Sequence, residues 1–262
     1  MEPIGGVLAF MVVVMTAGWL YQRRVRNAGW ADVFWTYGTG AACVAIALLP
    51  LDGRAQPTWR QAILGALLAI WALRLGGYVA ARVRRGAEDV RYAGLRGIWA
   101  AAFQRRMFAL LIVQAPASAL LSLAVLLAAR SMDPRLRGAD VIGFAIMAAA
   151  LIGESVADRQ MRAFKSNPAN AGRVCDSGLW GWSRHPNYFC EGLLWVGLPI
   201  LAIQWSHAAS WLSLLAPVVM FVLLRWVTGV PALEAAMLRT KGEAYRHYQS
   251  RVSAMLPLPP QR

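Results

Sequence analysis

The chain is divided into seven apolar blocks, each about as long as a helix that crosses a membrane. An α-helix needs about 20 residues to span roughly 30 Å of hydrocarbon. The blocks are Ile4–Tyr21, Trp30–Leu51, Trp59–Ala80, Met107–Ala129, Ala139–Ala157, Tyr188–Trp205 and Trp211–Val230. Because apolar residues fill each block instead of following one stripe, we predict an all-α integral membrane protein. It has about seven transmembrane helices and a single polytopic domain over residues 1–262.

The composition agrees with a membrane protein and not with a soluble one. Apolar residues make up 58% of the chain and charged residues 15%, against about 45–50% and about 25% in soluble domains. The first block lacks a basic leader segment, and Gln22-Arg23-Arg24 follows it instead of a small-residue cleavage site. We therefore expect this block to be a membrane span and not a cleavable signal peptide.

The net charge of +14 is distributed unequally along the chain. Twenty of the 27 Lys and Arg residues lie in the segments after the first, third, fifth and seventh blocks. By the positive-inside rule, this asymmetry predicts an N-terminus outside and a C-terminus in the cytoplasm, as in a bacterial inner-membrane protein. Anionic lipid headgroups and cofactor phosphates are the expected partners of this charge, and no nucleic acid is expected.

The sequence lacks the common motifs of soluble cofactor and metal sites. Cys43, Cys175 and Cys190 have neither CxxC nor CxH spacing, so we expect no metal centre and no disulfide framework. No GxGxxG follows a strand pattern, and no Walker loop is present. A dinucleotide bound by this chain would therefore not use a Rossmann fold.

Four polar residues of the first half lie within or beside apolar blocks: Asp32, Tyr37, Arg74 and Tyr78. Ionisable groups at membrane depth are costly and are often functional. Two interpretations of Asp32 stay open, an interfacial helix cap or a carboxyl group that lines a cavity. Arg74 either snorkels to the surface or faces a site. The third helix is predicted to continue beyond its block to Tyr92 as a cytoplasmic extension.

A polar stripe ends the fifth block. Glu154, Asp158, Arg162 and Lys165 recur at helical spacing, so they share one face of a helix that leaves the bilayer. Acid–base pairs within the helix are one explanation, worth a few tenths of a kcal/mol each. They do not account for Glu154, which lies about one turn inside the apolar block.

The segment before the sixth block places polar groups where the chain returns to the membrane. Pro186 is suited to the first position of a helix, and Asn187 and Glu191 then lie one turn apart on one face. An Asn side chain offers a donor and an acceptor, as recognition of a carboxamide such as nicotinamide requires. Arg184 and His185 lie beside the positive end of the helix dipole, which favours phosphate.

A charged and aromatic tail follows the seventh block. It contains Glu234, and Tyr245 and Tyr248 lie three residues apart on an amphipathic turn. The two tyrosines either cover an adenine or anchor the tail at the lipid headgroups, and the sequence leaves both possibilities open.

These motifs together resemble one membrane superfamily, that of steroid 5α-reductases, sterol reductases and isoprenylcysteine carboxyl methyltransferases. The resemblance covers residues 150–260 well and is weaker around Arg74 and Glu88–Tyr92. It is closest to the uncharacterised bacterial branch of the reductases. The motifs are Gly178…Ser183-Arg184-His185-Pro186-Asn187-Tyr188 and Glu234…Lys241-Gly242…Tyr245…Tyr248…Pro257.

The resemblance implies NADPH as the cofactor, held by the second half of the chain, residues 139–262. Asn187 and Glu191 match the reductases better than the methyltransferases, and Asp158, Lys165 and Arg173 match further reductase positions. The implied cofactor-binding residues are Arg74, Glu154, Asp158, Arg162, Lys165, Arg173, Arg184, His185, Asn187, Tyr188, Glu191, Glu234, Tyr245 and Tyr248.

The first half, residues 1–130, is predicted to hold the substrate, and it departs from the steroid enzymes. Trp71 stands where those enzymes carry a Tyr, and the second block has no Gln-Glu pair. The groups available to polarise a carbonyl are Asp32, Tyr37 and Tyr78.

We therefore predict an NADPH-dependent reductase of a lipophilic, steroid- or isoprenoid-like unsaturated substrate that enters from the bilayer. A methyltransferase that uses S-adenosylmethionine and a non-catalytic lipid- or sterol-binding protein are the alternatives.

Overall fold

The computed structural model describes residues 2–50, 56–86, 88–130, 135–227 and 229–261. These residues form helices and their connections, with no strand among them, which confirms the predicted all-α class. The helices are α1 Glu2–Val25, α2 Trp30–Ala47, α3 Trp59–Arg85, α4 Val90–Trp99, α5 Phe103–Ile112, α6 Gln114–Ala129, α7 Gly138–Ser166, α8 Pro186–Ala202, α9 Leu215–Val222, α10 Val230–Lys241 and α11 Glu243–Arg251.

Within the described residues, five helical stretches are long and apolar enough to cross a membrane, as in an integral membrane protein. They are Glu2–Val25, Trp59–Arg85, Val90–Ala129, Gly138–Ser166 and Ala208–Lys241. The other two predicted blocks correspond to α2, with 18 residues, and α8, with 17 residues. The full count of seven spans and the orientation of the termini stay predictions. The predicted end of the second block, Leu51, lies outside the described residues.

Two predicted helices are interrupted. The extension of α3 toward Tyr92 is wrong, because α3 ends at Arg85 and the carboxylate of Asp89 caps the new helix α4 by accepting the backbone N–H of Arg91 at 3.0 Å. The seventh block is not one regular helix either. A tight 3₁₀ segment precedes α9, which carries Pro217 in its first turn, and a proline has no N–H for a regular helix bond.

The helices divide into two compact units. Unit 1 comprises the chain up to Asp140 together with Leu198–Ala216, and unit 2 comprises Val141–Gly197 and Pro217–Arg262. The predicted assignment of residues 1–130 to the substrate and residues 139–262 to the cofactor stays a prediction.

Close helix packing in unit 1 depends on small residues. A Cβ added to Gly40 of α2 would lie 2.2 Å from the Cβ of Ala72 on α3, and one added to Gly76 would lie 2.6 Å from the ring of Tyr37. Small residues allow membrane helices to approach at such distances. A buried hydrogen bond of 2.8 Å between the hydroxyls of Thr39 and Ser118 joins α2 to α6. (Either hydroxyl can be the donor.)

A buried ion pair closes one end of unit 1. Arg60, at the start of α3, donates from Nη2 to Oδ2 of Asp140 at 2.6 Å, and the two side chains are 2% and 0% exposed. Arg137 also donates to Asp140 (2.7 Å) and to the carbonyl of Leu201 (2.6 Å). Buried charges are tolerated when they are paired and hydrogen-bonded in this way.

In unit 2, α7 and α8 pack against each other in antiparallel directions. A Cβ on Gly153 would lie 2.8 Å from Sγ of Cys190, and one on Gly197 would lie 2.4 Å from Cγ of Met147. The connection between the two helices returns to α7, because Nε1 of Trp180 donates to the carbonyl of Ala157 at 3.0 Å.

Candidate functional site

The segment that leads into α8 is tied to the tail that follows α11. The hydroxyl of Ser183 donates to the carbonyl of Met255 at 2.8 Å and accepts the backbone N–H of His185 at 3.1 Å. The backbone N–H of Arg184 donates to the carbonyl of Ser253 at 2.9 Å. Three consecutive residues are therefore fixed by hydrogen bonds immediately before the helix begins.

The guanidinium group of Arg184 is bound inside unit 2. Its Nε donates to Oε1 of Glu234 at 2.6 Å, and its Nη1 donates to the carbonyls of Gln249 and Val252. The side chains of Arg184 and Glu234 are only 11% and 15% exposed. This geometry gives Arg184 a positioning role, and its predicted contact with cofactor phosphate stays a prediction.

Glu234 also joins His185 to the same cluster. Nε2 of His185 lies 3.3 Å from Oε1 of Glu234, and Nε2 of Gln249 donates to Oε2 at 2.9 Å. The imidazole of His185 stacks on the ring of Tyr188, with 5.5 Å between centroids and 12° between planes. The structure thus brings together four of the predicted cofactor residues: Arg184, His185, Tyr188 and Glu234.

Besides Asp140, which belongs to unit 1, three carboxyl groups are buried along α7 and α8. Glu154 and Asp158 are each 4% exposed and Glu191 is 5% exposed. Glu154 and Glu191 each follow a residue of the close contact between Gly153 and Cys190, so they flank the place where the two helices touch. Glu191 accepts a 3.0 Å hydrogen bond from Nε1 of Trp195 one turn later. We call the three carboxyl groups and Asn187 the polar seam.

The two ends of the predicted α7 stripe lie in different environments. Its first two members belong to the polar seam, whereas Arg162 and Lys165 are exposed in the last two turns of the helix. Asn187 is half-buried in the first turn of α8 and precedes Glu191 by one turn. An amide and a carboxyl group on one helical face provide donors and acceptors beside a mostly apolar environment.

The two tail tyrosines are buried, and they fix the tail to the loop before α8. Tyr245 is 2% and Tyr248 7% exposed, and both pack with Val252. The hydroxyl of Tyr248 donates to the carbonyl of Trp180 at 2.5 Å. Burial raises the pKa of both phenols well above the ordinary value, and the charge of Glu234 adds to the effect at Tyr245. Both therefore remain neutral donors at physiological pH.

The predicted loop arginine is exposed at a surface cleft. Arg173 lies where the connection leaves α7, after Gly172 with a φ of +83°. The cleft has a volume of about 570 Å³ and runs between the connection and α11.

Asp32 in unit 1 is bound by the segment that follows α3. Nη2 of Arg91 donates to Oδ2 of Asp32 at 2.6 Å, and the hydroxyl of Tyr92 donates to Oδ1 at 2.6 Å. Arg91 also pairs with Asp89 at 3.0 Å. These contacts make Asp32 an anchor between α2 and α4, while its predicted catalytic role stays a prediction.

The other predicted groups of unit 1 lie along α2 and α3. Tyr37 is 39% exposed, and its ring lies over Gly76. Tyr78 is half-buried against the cluster that includes Val79, and Arg74 is half-buried one turn before it. The hydrogen bonds of Asp32 to Arg91 and Tyr92 do not decide whether the three residues act together, and the catalytic roles of Asp32, Tyr37 and Tyr78 stay predictions.

Two further carboxylates outside the predicted spans have lowered pKa values. Burial alone raises the pKa of Glu88, but hydrogen bonds from Arg96 (2.7 Å) and the backbone N–H of Ala28 (2.8 Å) bring it below the ordinary value. Burial likewise raises the pKa of Asp89, and the charge and hydrogen bonds of Arg91 outweigh it. Both groups are ionised anchors at neutral pH.

Sequence reasoning missed several partners that complete these clusters. They are Arg91 and Tyr92 at Asp32, Ser183 before α8, and Gln249 at Glu234. Gln249 could have been found from its spacing, since it follows Tyr245 by one helical turn of α11. The partners of Asp32 lie 59 and 60 residues away in sequence, and no local pattern indicates such a pair.

Searches among curated proteins and among solved structures find no match to the chain. One family profile does match, over residues 18–252. This range covers most of both units. It includes all of the clusters described above apart from the final tail contacts. The chain therefore belongs to the DUF1295 family, whose members are described as proteins of unknown function.

Proposed function

We propose that the protein is an NADPH-dependent reductase of a lipophilic, steroid- or isoprenoid-like unsaturated carbonyl compound in a bacterial cytoplasmic membrane. The observation that carries the proposal is the polar seam in unit 2. In it, Glu154 and Glu191 flank the close contact of α7 and α8, and Asp158 and Asn187 each lie one helical turn away on the same two helices. Polar groups at such a depth are costly unless they have a function or a partner.

The donor set of unit 2 fits a nicotinamide dinucleotide. Asn187 offers both an amide donor and an acceptor, which a carboxamide requires, and the buried carboxylates accept hydrogen bonds from ribose hydroxyls. NADPH, when bound, supplies reducing equivalents to an activated double bond. We assign Asn187 and Glu191 to the nicotinamide end, and Glu154 and Asp158 to hydroxyl groups of the cofactor.

The Arg184–Glu234 pair serves the site indirectly in this proposal. It fixes the backbone immediately before α8 and holds the imidazole of His185 against Tyr188. A fixed helix start keeps Asn187 in a constant orientation. Such preorganisation reduces the entropy lost on binding.

On the substrate side, we assign the carbonyl-polarising hydroxyl to Tyr37. Its side chain is 39% exposed, whereas the carboxylate of Asp32 is bound by Arg91 and Tyr92. A hydrogen bond from this hydroxyl would stabilise negative charge that develops on a carbonyl oxygen.

The deciding experiment measures cofactor binding to the purified full-length protein in detergent. We expect NADPH to raise the melting temperature and S-adenosylmethionine to leave it unchanged. Asn187→Ala should weaken NADPH binding at least tenfold, the size expected for lost hydrogen bonds to a buried amide. Gln114→Ala, which removes a half-buried amide from unit 1, is the control and should bind NADPH like the wild type.

Stabilisation by S-adenosylmethionine in place of NADPH would show that the methyltransferase alternative is correct. NADPH binding without turnover of any enone would favour the non-catalytic alternative.

A further inference from the structure

The end of α1 and the start of α5 bring four exposed arginines together at one end of unit 1. They are Arg23 and Arg24 in the last turn of α1 and Arg105 and Arg106 in the first turn of α5. The residues that precede the two pairs are joined, because Nε2 of Gln22 donates to Oε1 of Gln104 at 2.9 Å. Both pairs therefore lie beside a fixed contact between the two helices, and we call the four residues the arginine cluster.

Aromatic packing fixes the same contact. Nε1 of Trp19 donates to the carbonyl of Gln104 at 3.0 Å, and the rings of Trp19 and Phe108 meet edge to face with 5.0 Å between their centroids. The guanidinium carbon of Arg23 lies 4.6 Å from the centroid of the Trp19 ring. An indole ring attracts a cation without neutralising it, so Arg23 is oriented and keeps its charge for a further partner.

The arginine cluster has no acidic neighbours in sequence. Residues 3–31 and 90–132 contain neither Asp nor Glu. In the part of the chain that the structure describes, none of the four arginines forms an ion pair, whereas Arg91 and Arg96 are both paired with carboxylates. Arg105 and Arg106 also lie at the positive end of the α5 dipole, where an anion is favoured and a cation is not. The cluster is therefore a concentration of positive charge that an anionic partner would stabilise.

Exposed apolar side chains adjoin the arginine cluster on the same two helices. Leu20 and Tyr21 on α1 are 54% and 38% exposed, and Phe108 on α5 is 37% exposed. Because α1 is long and apolar enough to cross a membrane, its last turn reaches the lipid headgroups when its apolar part lies in hydrocarbon. The cluster thus combines cations at headgroup depth with a surface that acyl chains can contact.

We propose that the arginine cluster binds one phospholipid that carries two phosphate groups, as cardiolipin does. Guanidinium groups bind phosphate through paired, charge-assisted hydrogen bonds, and two arginine pairs on two helices match two phosphates. Basic pockets between transmembrane helices bind headgroups of this kind. General attraction to an anionic leaflet does not distinguish one exposed arginine from another, whereas this site requires both pairs. The site lies within unit 1 and does not depend on the proposed cofactor.

The test is thermal melting of the full-length protein in detergent with added lipid. The probes are tetraoleoyl cardiolipin, dioleoyl phosphatidylglycerol and dioleoyl phosphatidylcholine at equal phosphate content. Cardiolipin should raise the melting temperature most, phosphatidylglycerol less and phosphatidylcholine not at all, because a ligand stabilises the folded protein according to its affinity. Arg23→Gln combined with Arg105→Gln removes one guanidinium from each pair and should weaken cardiolipin binding about tenfold.

Arg84→Gln combined with Arg85→Gln is the matched control. Both arginines are exposed at the end of α3, and they lie at the same end of unit 1, because a Cβ on Gly29, shortly after α1, would be 3.0 Å from the side chain of Val83. The control removes the same amount of charge without touching the arginine cluster, so it should bind cardiolipin like the wild type.

Three results would overturn the proposal. An equal loss of cardiolipin binding in the two double variants would show general attraction of charge in place of a site. Equal stabilisation by phosphatidylglycerol and cardiolipin would contradict the match to two phosphates. Equal stabilisation by inorganic pyrophosphate would show that the partner is not a lipid. The order of the probes is measured on the wild type, so it tests the proposal even where a variant fails to fold.

Discussion

The two units use charged groups differently. In unit 1, Asp32 and Asp140 each bind a nearby arginine and connect helices near their ends. In unit 2, carboxyl groups are buried on α7 and α8, and Arg184, two residues before α8 begins, pairs with Glu234. The charged pairs at the helix ends of unit 1 serve only to hold the helices together. Carboxyl groups at the contact of α7 and α8 lie where apolar side chains would pack equally well, so unit 2 is where we expect ligand chemistry.

Among the variants that test this comparison, Arg184→Ala should lower the stability of the protein most. Arg184→Ala leaves Glu234 without its closest cation and two carbonyls without a donor. Removing one partner of a buried pair costs about 3–5 kcal/mol, and we expect about 3 kcal/mol here because both side chains retain some exposure. Thermal melting in detergent measures the loss, with Arg246→Ala as the control. Equal melting temperatures for the two variants would contradict the central role of the pair.

Unit 1 should respond most strongly to a change in packing. Gly40→Ala places a methyl group 2.2 Å from the Cβ of Ala72, and neither helix backbone can move aside locally. Overpacking of this kind costs about 1–3 kcal/mol. Gly94→Ala on α4 meets no atom within 4 Å, and it should be neutral or slightly stabilising. The difference between the two alanine variants in a denaturation series tests the close approach of α2 and α3.

The Asp32 anchor should show a smaller, pairwise effect. Asp32→Asn and Arg91→Gln each break a 2.6 Å contact between partly exposed groups. A double-mutant cycle on stability should give a coupling of about 1 kcal/mol. If Asp32 is also catalytic, Asp32→Asn abolishes turnover while Arg91→Gln and Tyr92→Phe retain most of it. A coupling of zero would show that the contact does not anchor α4.

The smallest expected effect concerns the decrease in the stability of unit 1 at acid pH. Glu88 and Asp89 have pKa values below the ordinary ones, so their stabilising contribution is fully present above the unfolded values near pH 4. It is lost as the pH falls through the lower folded values, because the unfolded chain binds protons first. Glu88→Gln with Asp89→Asn should flatten the decrease in melting temperature below about pH 4. An unchanged slope would assign the acid sensitivity to other carboxyl groups.

The fold was predictable to the extent that hydrophobicity determines it. Long apolar runs indicate helices wherever they occur, so the blocks could be located. The places where a helix is interrupted depend on single residues, such as the capping group of Asp89 or Pro217. One such residue hardly changes a long apolar pattern, so the sequence did not indicate these interruptions. The site was predictable in its residue types but not in its pairings. Arg184 looked available for phosphate in the sequence, because its partners Glu234 and Gln249 lie 50 and 65 residues further along the chain.

The hydrogen bonds between the α8 start and the tail have a consequence for biosynthesis. Ribosomes add about 5–20 residues each second, and Ser183 and Arg184 are translated well before residues 249–255. Until residues 249–255 have left the ribosome, the guanidinium of Arg184 lacks its carbonyl acceptors. Assembly of unit 2 therefore waits for the synthesis of these residues. A tag or truncation placed close to Met255 would disturb a helix start some 70 residues earlier in the sequence.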